Sequence, residues 1–242
     1  NANFSDGATY YANFYGQGVD YFELLDDDGQ NAIWSEDWAN GSSSYQCGAY
    51  NVDLMRAASR ERGQLIGHYV IAHAGRLPLD VKLKVAGNVA RGARVLKSYS
   101  YGVYWGSHEG GPAWRSSSWQ NKPGQWGAHA EALREIGGAE DLLMEAAALP
   151  AQVAILYASS SDIWEVTGNF AYGFDRMHTW MALAHAQIPV DFLSETQVER
   201  GALDGYRVCY LAGPNLTRAA AARLAEWVAA GGTLVASAGA GA

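Results

Sequence analysis

The chain has 242 residues, 49% hydrophobic, 12% aromatic and 17% charged, and Lys+Arg 17 against Asp+Glu 25 gives a net charge of −8. That apolar share supplies a sizeable core in one large domain or two smaller ones, and it excludes disorder as the main state. The acidic balance argues against a nucleic-acid binder, which needs a basic face to neutralise phosphates. No apolar run approaches the roughly 18 residues of a membrane span.

Two cysteines, Cys47 and Cys209, exclude a disulfide scaffold and a cysteine-built zinc cluster. The chain opens on Asn1 without the charged and apolar regions of a signal peptide. It closes on residues 236–242 (ASAGAGA). It therefore reads as a piece of a longer polypeptide, with no signal or transmembrane segment visible in this piece.

In chain order, residues 31–38 (NAIWSEDW) form a short apolar run ending in charge. Residues 49–62 carry apolar positions at helical spacing, with Gly63 as C-cap. Residues 64–72 (QLIGHYVIA) predict a strand. Residues 80–91 predict a helix with Asp80 as N-cap, and residues 94–101 (RVLKSYSY) another strand. Two helices follow, over 126–136 and 139–149, separated at Gly137-Gly138. Pro150 stops the second, and the domain boundary is placed there.

Beyond it, strands are predicted over 152–158, 190–194, 206–212 and 233–237, and helices over 174–187 and 217–231, the last capped by Thr217. The alanine runs 146–148 and 219–222 read as helix. The C-terminal segment is thus a doubly wound α/β layout. The first segment alternates strand and helix, as a parallel sheet requires. Its loops after the strands are long and rich in Trp, Ser, Gly and His, while those entering the strands are short. That asymmetry suits a barrel with its site at the strands' C-terminal ends, whose first strands would lie upstream of Asn1.

Six of the nine tryptophans fall within residues 1–130. Two of them, Trp34 and Trp38, bracket Glu36 and Asp37. A carboxylate at a strand end between two indoles suits carbohydrate chemistry. The acid attacks or protonates at the anomeric centre, and aromatic faces stack on the sugar's C–H face. The competing reading is two core tryptophans and two solvated acids. Neighbours on a strand point to opposite faces, so Glu36 and Asp37 do not act as a catalytic pair.

His68 and His73 follow in and after the next strand; for each, hydroxyl binding and a satisfied core histidine are both open. Tyr99, Tyr101, Tyr104, Trp105, His108 and Glu109 form a third cluster, suited to polyol recognition or to a packed loop. Asp26-Asp27-Asp28 lacks the alternation of a calcium loop and reads as a solvated turn. No nucleophile elbow, phosphate loop or dinucleotide fingerprint occurs. No metal or other cofactor is expected. Cys209 lies mid-strand, where a core thiol is the default.

The element order resembles glycoside hydrolase family 42 β-galactosidases. Asn3-Phe4, Asp20-Tyr21-Phe22 and the strand ending WSEDW are similar to that family's fifth and sixth barrel strands. Residues 88–93 leading into 96–101 and Trp105 are similar to its last helix and eighth strand. Arg134-Glu135-Ile136-Gly137 resembles the helix leaving the barrel. Residues 150–242 resemble its trimerisation domain, with a class I glutamine-amidotransferase-like fold lacking that active site.

The resemblance implies an α/β protein. Residues 1–149 would be the C-terminal half of a (β/α)8 TIM barrel, and residues 150–242 a doubly wound trimerisation-like domain, truncated. It implies a retaining glycosidase, a homo-oligomer such as a trimer, and a carbohydrate substrate, with no nucleic-acid or membrane partner. The acid/base Glu would precede Asn1. The seventh strand, LIGHYVIA, should end in a nucleophile yet holds no carboxylate, and His68 occupies roughly that place. Either Glu36 has taken over as a catalytic carboxylate, or the barrel only binds sugar. In the first case Glu36 is catalytic, and Trp34, Asp37, Trp38, His68, His73, Tyr101, Trp105, His108 and Glu109 bind substrate. An amidotransferase active in the C-terminal segment through Cys209 is the third reading.

Overall fold

Local signals set where each element begins and ends. In a computed structural model that describes residues 2–5, 20–26, 29–36, 44–71, 77–99, 122–164, 171–237 and 239–241, the first elements are β1 (Ala2–Ser5), α1 (Tyr21–Asp26), β2 (Ala32–Glu36), α2 (Ser44–Ser59), β3 (Leu65–Ile71), α3 (Pro78–Ala90), β4 (Val95–Tyr99), α4 (Pro123–Gly137) and α5 (Glu140–Glu145). They are followed by β5 (Val153–Tyr157), α6 (Ser159–Trp164), α7 (Ala171–His185), β6 (Val190–Ser194), α8 (Glu195–Glu199), a 3-10 turn over Ala202–Gly205, β7 (Val208–Leu211), α9 (Arg218–Ala229) and β8 (Thr233–Ala236).

The caps explain these limits. Asp20 Oδ1 accepts from the backbone N–H groups of Phe22 at 2.9 Å and Glu23 at 3.1 Å, and so starts α1. Gly63, at φ +65°, donates to the Ser59 carbonyl at 2.8 Å and closes α2. Thr217 Oγ1 accepts from Ala220 N–H at 3.1 Å and starts α9, as its sequence predicts. Asp80 is not the N-cap of α3. Leu77 holds that position, Pro78 opens the helix, and Asp80 reaches back to accept from Leu77 N–H at 3.0 Å. Residues 146–148 are not helical. Ala146 is already extended (φ −66°, ψ 133°), and the chain runs without helix or strand to Pro150.

The described residues divide into two compact units. The first holds 2–5, 30–36, 44–52, 64–71, 77–99 and 122–148; the second holds 20–26, 29, 53–63, 149–164, 171–237 and 239–241. The last change of unit falls between Ala148 and Leu149, but earlier segments also belong to the second unit, so the division is not a single cut.

In the first unit, four parallel strands lie in sequential order, β1-β2-β3-β4. Strand alternation assigns each side chain a face. Val70 packs with Val81 and Val85 of α3 and Ala132 of α4, joined by Leu96, Trp126 and Ile136. Ser35 accepts from Asn51 Nδ2 of α2 at 3.4 Å. Hence Ser35, His68, Val70, Leu96 and Ser98 form the helix-facing side. Trp34, Glu36, Gly67, Tyr69, Lys97 and Tyr99 form the other. Lys82 and Glu131 tie α3 to α4 at 2.6 Å.

The second unit is a parallel sheet in the order β6-β5-β7-β8. Its core includes Ala154, Leu156, Leu193, Cys209, Leu211, Leu224 and Trp227. The strand order reverses between β5 and β7, as in a doubly wound sheet. Arg176 on α7 is 1% exposed, and its guanidinium donates to both Asp162 oxygens (3.1 and 3.4 Å) while lying 4.4 Å from the Tyr157 ring centroid. Burial pushes the Asp162 carboxyl above its ordinary range, and Arg176 opposes that shift. Arg176→Leu strands this acid without its counter-charge. It should lower stability by about 3–5 kcal/mol in urea unfolding, with Arg176→Leu/Asp162→Leu recovering a large part. A loss under about 1 kcal/mol in the single variant would show that the pair does not hold this unit together.

Candidate functional site

β2, β3 and β4 bring one acid, one cation and three aromatic rings to the face opposite the helices. Trp34 pairs in register with Gly67, and a Cβ at Gly67 would stand 2.1 Å from the indole Cε3. The indole therefore lies across the bare glycine. Its ring centroid is 6.4 Å from that of Tyr69, and Tyr69 meets Tyr99 edge-on at 6.1 Å and 84°. Lys97, in register with Tyr69, places its Nζ 5.1 Å from the Tyr69 ring centroid. Ser35 pairs with His68, so Glu36 and Tyr69 come next along their two strands. Glu36 is half-buried at the C-terminal end of β2, two residues beyond Trp34 and on its face.

His68 lies elsewhere. It is 0% exposed on the helix-facing side, with Nδ1 2.8 Å from the Tyr69 carbonyl oxygen and 3.1 Å from Asn88 Nδ2 of α3. A Cβ added at Gly48 of α2 would come within 2.9 Å of Asn88 Oδ1 and 3.4 Å of the His68 ring. Of the two roles open to His68, a packed core histidine is the one this position fits. A fully enclosed imidazole offers no edge to a sugar hydroxyl, which corrects its expected place among the substrate ligands. Asp37, Trp38, His73, Tyr101, Trp105, His108 and Glu109 lie outside the described residues, as does Tyr104 of the third cluster.

Tyr69, Lys97 and Gly67 are absent from the expected set. Period-two alternation along β3 and β4 was the available signal, but it needed the inter-strand register to show which residues share a face. His129 of α4 is a further buried imidazole, its Nε2 2.6 Å from Ser98 Oγ on the helix-facing side.

In the second unit Cys209 is 0% exposed within β7, and burial pushes its thiol up to about 12. A nucleophile needs the thiolate, so the amidotransferase reading falls. The crevice at the strand-order reversal is occupied by the chain's own groups. Glu195 accepts from Ser159 Oγ (3.2 Å), Ser160 N–H (2.8 Å) and Thr217 N–H (2.7 Å). Ser161 Oγ donates to the Asn215 carbonyl at 2.8 Å and accepts from Asn215 N–H at 2.9 Å. A cavity of about 210 Å³ lies beside α7, β7 and β8, where Ser237 donates a hydrogen bond to Asp175.

Cys47 and Cys209 are both free thiols. Among the described residues no three His, Cys, Asp or Glu side chains gather as metal ligands, and no helix is long and apolar enough to cross a membrane.

No protein-family model matches the chain, and no curated protein does. Solved structures do. A catalytic mutant of a GH42 beta-galactosidase from G. stearothermophilus aligns with a TM-score of 0.62 at 19% identity, over 90% of this chain and 34% of that one. GH5_18 from Bifidobacterium longum subsp. longum aligns at 0.56 and 17% identity, over 97% and 54%. Alpha-L-fucosidase isoenzyme 2 from Paenibacillus thiaminolyticus aligns at 0.53 and 18%, over 91% and 32%. The chain thus spans about a third to a half of the length of these structures. At such identities the likeness is one of fold, a parallel-sheet α/β architecture shared with these glycoside hydrolases.

Two outcomes test this geometry. Gly67→Ala should cost about 1–3 kcal/mol in thermal or urea unfolding, because the methyl must displace the indole. In a Trp34→Ala background it should cost almost nothing, and equal costs in both backgrounds would refute the indole's placement. Burial lowers the pKa of His129 below the ordinary 6.5. The unfolded chain then takes up this proton first as the pH falls. The stability tied to the neutral ring is therefore complete above 6.5 and is lost as the pH drops through the lowered folded value. His129→Gln should flatten the fall in melting temperature as the pH drops below 6.5, and an unchanged slope would exclude His129 as its source.

Proposed function

We propose that the chain is part of a glycoside hydrolase that cleaves O-glycosyl bonds, with Glu36 as a catalytic carboxylate. One observation carries the reading. Glu36 ends a parallel strand on the same face as Trp34 and Tyr69, in a sheet whose four strands follow chain order as barrel strands do. An acid beside aromatic rings at the C-terminal rim supplies both elements glycoside cleavage uses, a proton-transferring or attacking oxygen and a surface for the sugar's C–H face. The fold likeness to glycoside hydrolases supports the same reading.

Its finer content is a family 42-like β-galactosidase. Residues 1–149 would be the C-terminal half of a TIM barrel, and residues 150–242 an amidotransferase-like domain joining protomers into a trimer. Trp34 stacks on the substrate. Asp37, Trp38, His73, Tyr101, Trp105, His108 and Glu109 contribute further contacts in the same cleft.

Turnover of a 4-nitrophenyl glycoside series tests it. Glu36→Gln should lower kcat/KM by about 10²- to 10⁴-fold with the melting temperature held. Activity within a few-fold of wild type removes Glu36 from the chemistry. A wild-type protein that binds glycosides saturably without turning any over overturns the hydrolase reading itself.

A further inference from the structure

Lys97 is the charged group on this face that glycoside cleavage does not use. It stands exposed on β4. Among the described residues its ammonium makes no hydrogen bond or ion pair, and its recorded neighbour is the Tyr69 ring, 5.1 Å away. A cation held over an aromatic ring keeps its position while its N–H donors still point outward. Its place in the sheet is specific. Glu36, Tyr69 and Lys97 form one row across β2, β3 and β4. Neighbouring strands lie about 4.8 Å apart, so the backbones carrying the acid and the cation are separated by roughly 10 Å, with the phenol ring between them. A pyranose seated between Glu36 and the ammonium at the Tyr69 ring has the carboxylate at one end and the ammonium at the other.

A neutral sugar leaves the ammonium unused. A sugar with a negatively charged substituent on the carbon farthest from the scissile bond matches the row at both ends. We infer that this face takes an acidic sugar, one bearing a carboxylate or a sulfate ester, and that Lys97 supplies the counter-charge that selects it. The inference rests on the reading of this face as a carbohydrate site. The charge-assisted hydrogen bonds to Lys97 set substrate choice.

Titration calorimetry with three probes tests it: methyl β-D-galactopyranoside, the corresponding 6-carboxylate (galacturonide) and the 6-sulfate. At low salt the acidic probes should bind about tenfold more tightly than the neutral one, and the difference should shrink as salt is added. The better of the two names the substituent. Lys97→Gln should bring the acidic probes down to the affinity of the neutral sugar, and Lys97→Arg should retain the preference. Equal binding of all three by the wild type, or a preference that survives Lys97→Gln, overturns the role of Lys97 and leaves the carbohydrate reading standing. If the wild type binds none of the three, both fail.

Discussion

The missing side chain at Gly67 is the constraint on which the face of the first unit depends. Because β3 presents no Cβ there, the Trp34 indole lies flat against the strand and its edge reaches Tyr69. Any larger residue would lift the indole off the sheet and spoil the packing that holds the next ring. Tyr69 in turn sets Tyr99 edge-on and carries Lys97 beside it. One glycine therefore orders an aromatic layer three strands wide, at the level where Glu36 ends β2. The opposite side of these strands is filled by Val70, His68 and Ser98 against α2, α3 and α4, which fixes the pleat and hence which residues face out.

The second unit spends its polar groups differently. Its strand-order reversal is the usual ligand crevice of a doubly wound sheet, yet Glu195 and the Ser161–Asn215 pair use that space for internal hydrogen bonds. Glu195 satisfies amides at the start of α6 and just ahead of α9, where orphan N–H groups would otherwise attract an anion. Arg60 pairs with Asp191 and donates to the Phe192 carbonyl at 3.3 Å, and Trp180 Nε1 donates to Asp53 at 2.9 Å, so residues 53–63 are pinned by polar contacts within that unit. These are the contacts of a supporting structure.

Much of the fold was legible in the sequence where the signal was local. Gly63 and Thr217 announce helix ends through φ and side-chain chemistry that two or three residues decide. The runs at 152–158 and 190–194 are buried strands because, with Gln152 and Ser194 at their outer ends, the one charged residue in them is Asp191, which Arg60 neutralises. Reading failed where a neighbour overrode the local preference. Pro78 moves the start of α3 and turns Asp80 from cap into capping partner. α5 ends at Glu145, with Ala146 extended, despite the three alanines that follow. α1 escaped notice because six residues and a trailing acidic run look like a turn, although Asp20 ahead of Tyr21-Phe22 is a proper cap. The candidate site was half legible for the same reason. Trp34 and Glu36 stand on one strand and declare themselves by spacing two apart, while Tyr69 and Lys97 join them only through register, which no single segment encodes.

The row through Glu36 also bears on stereochemistry, on the reading proposed for that residue. Retaining cleavage asks for a second carboxyl about 5–5.5 Å away, close to the spacing of adjacent strands. In register beside Glu36 stand Ser5 on β1 and, one step past the Ser35–His68 pair, Tyr69 on β3. Neither is an acid. The outward face of β3 is built from Gly67, Tyr69 and Ile71, so the strand from which a family 42-like nucleophile would project has an aromatic and an aliphatic side chain there instead. The two strands flanking β2 therefore supply no second carboxyl at the level of Glu36.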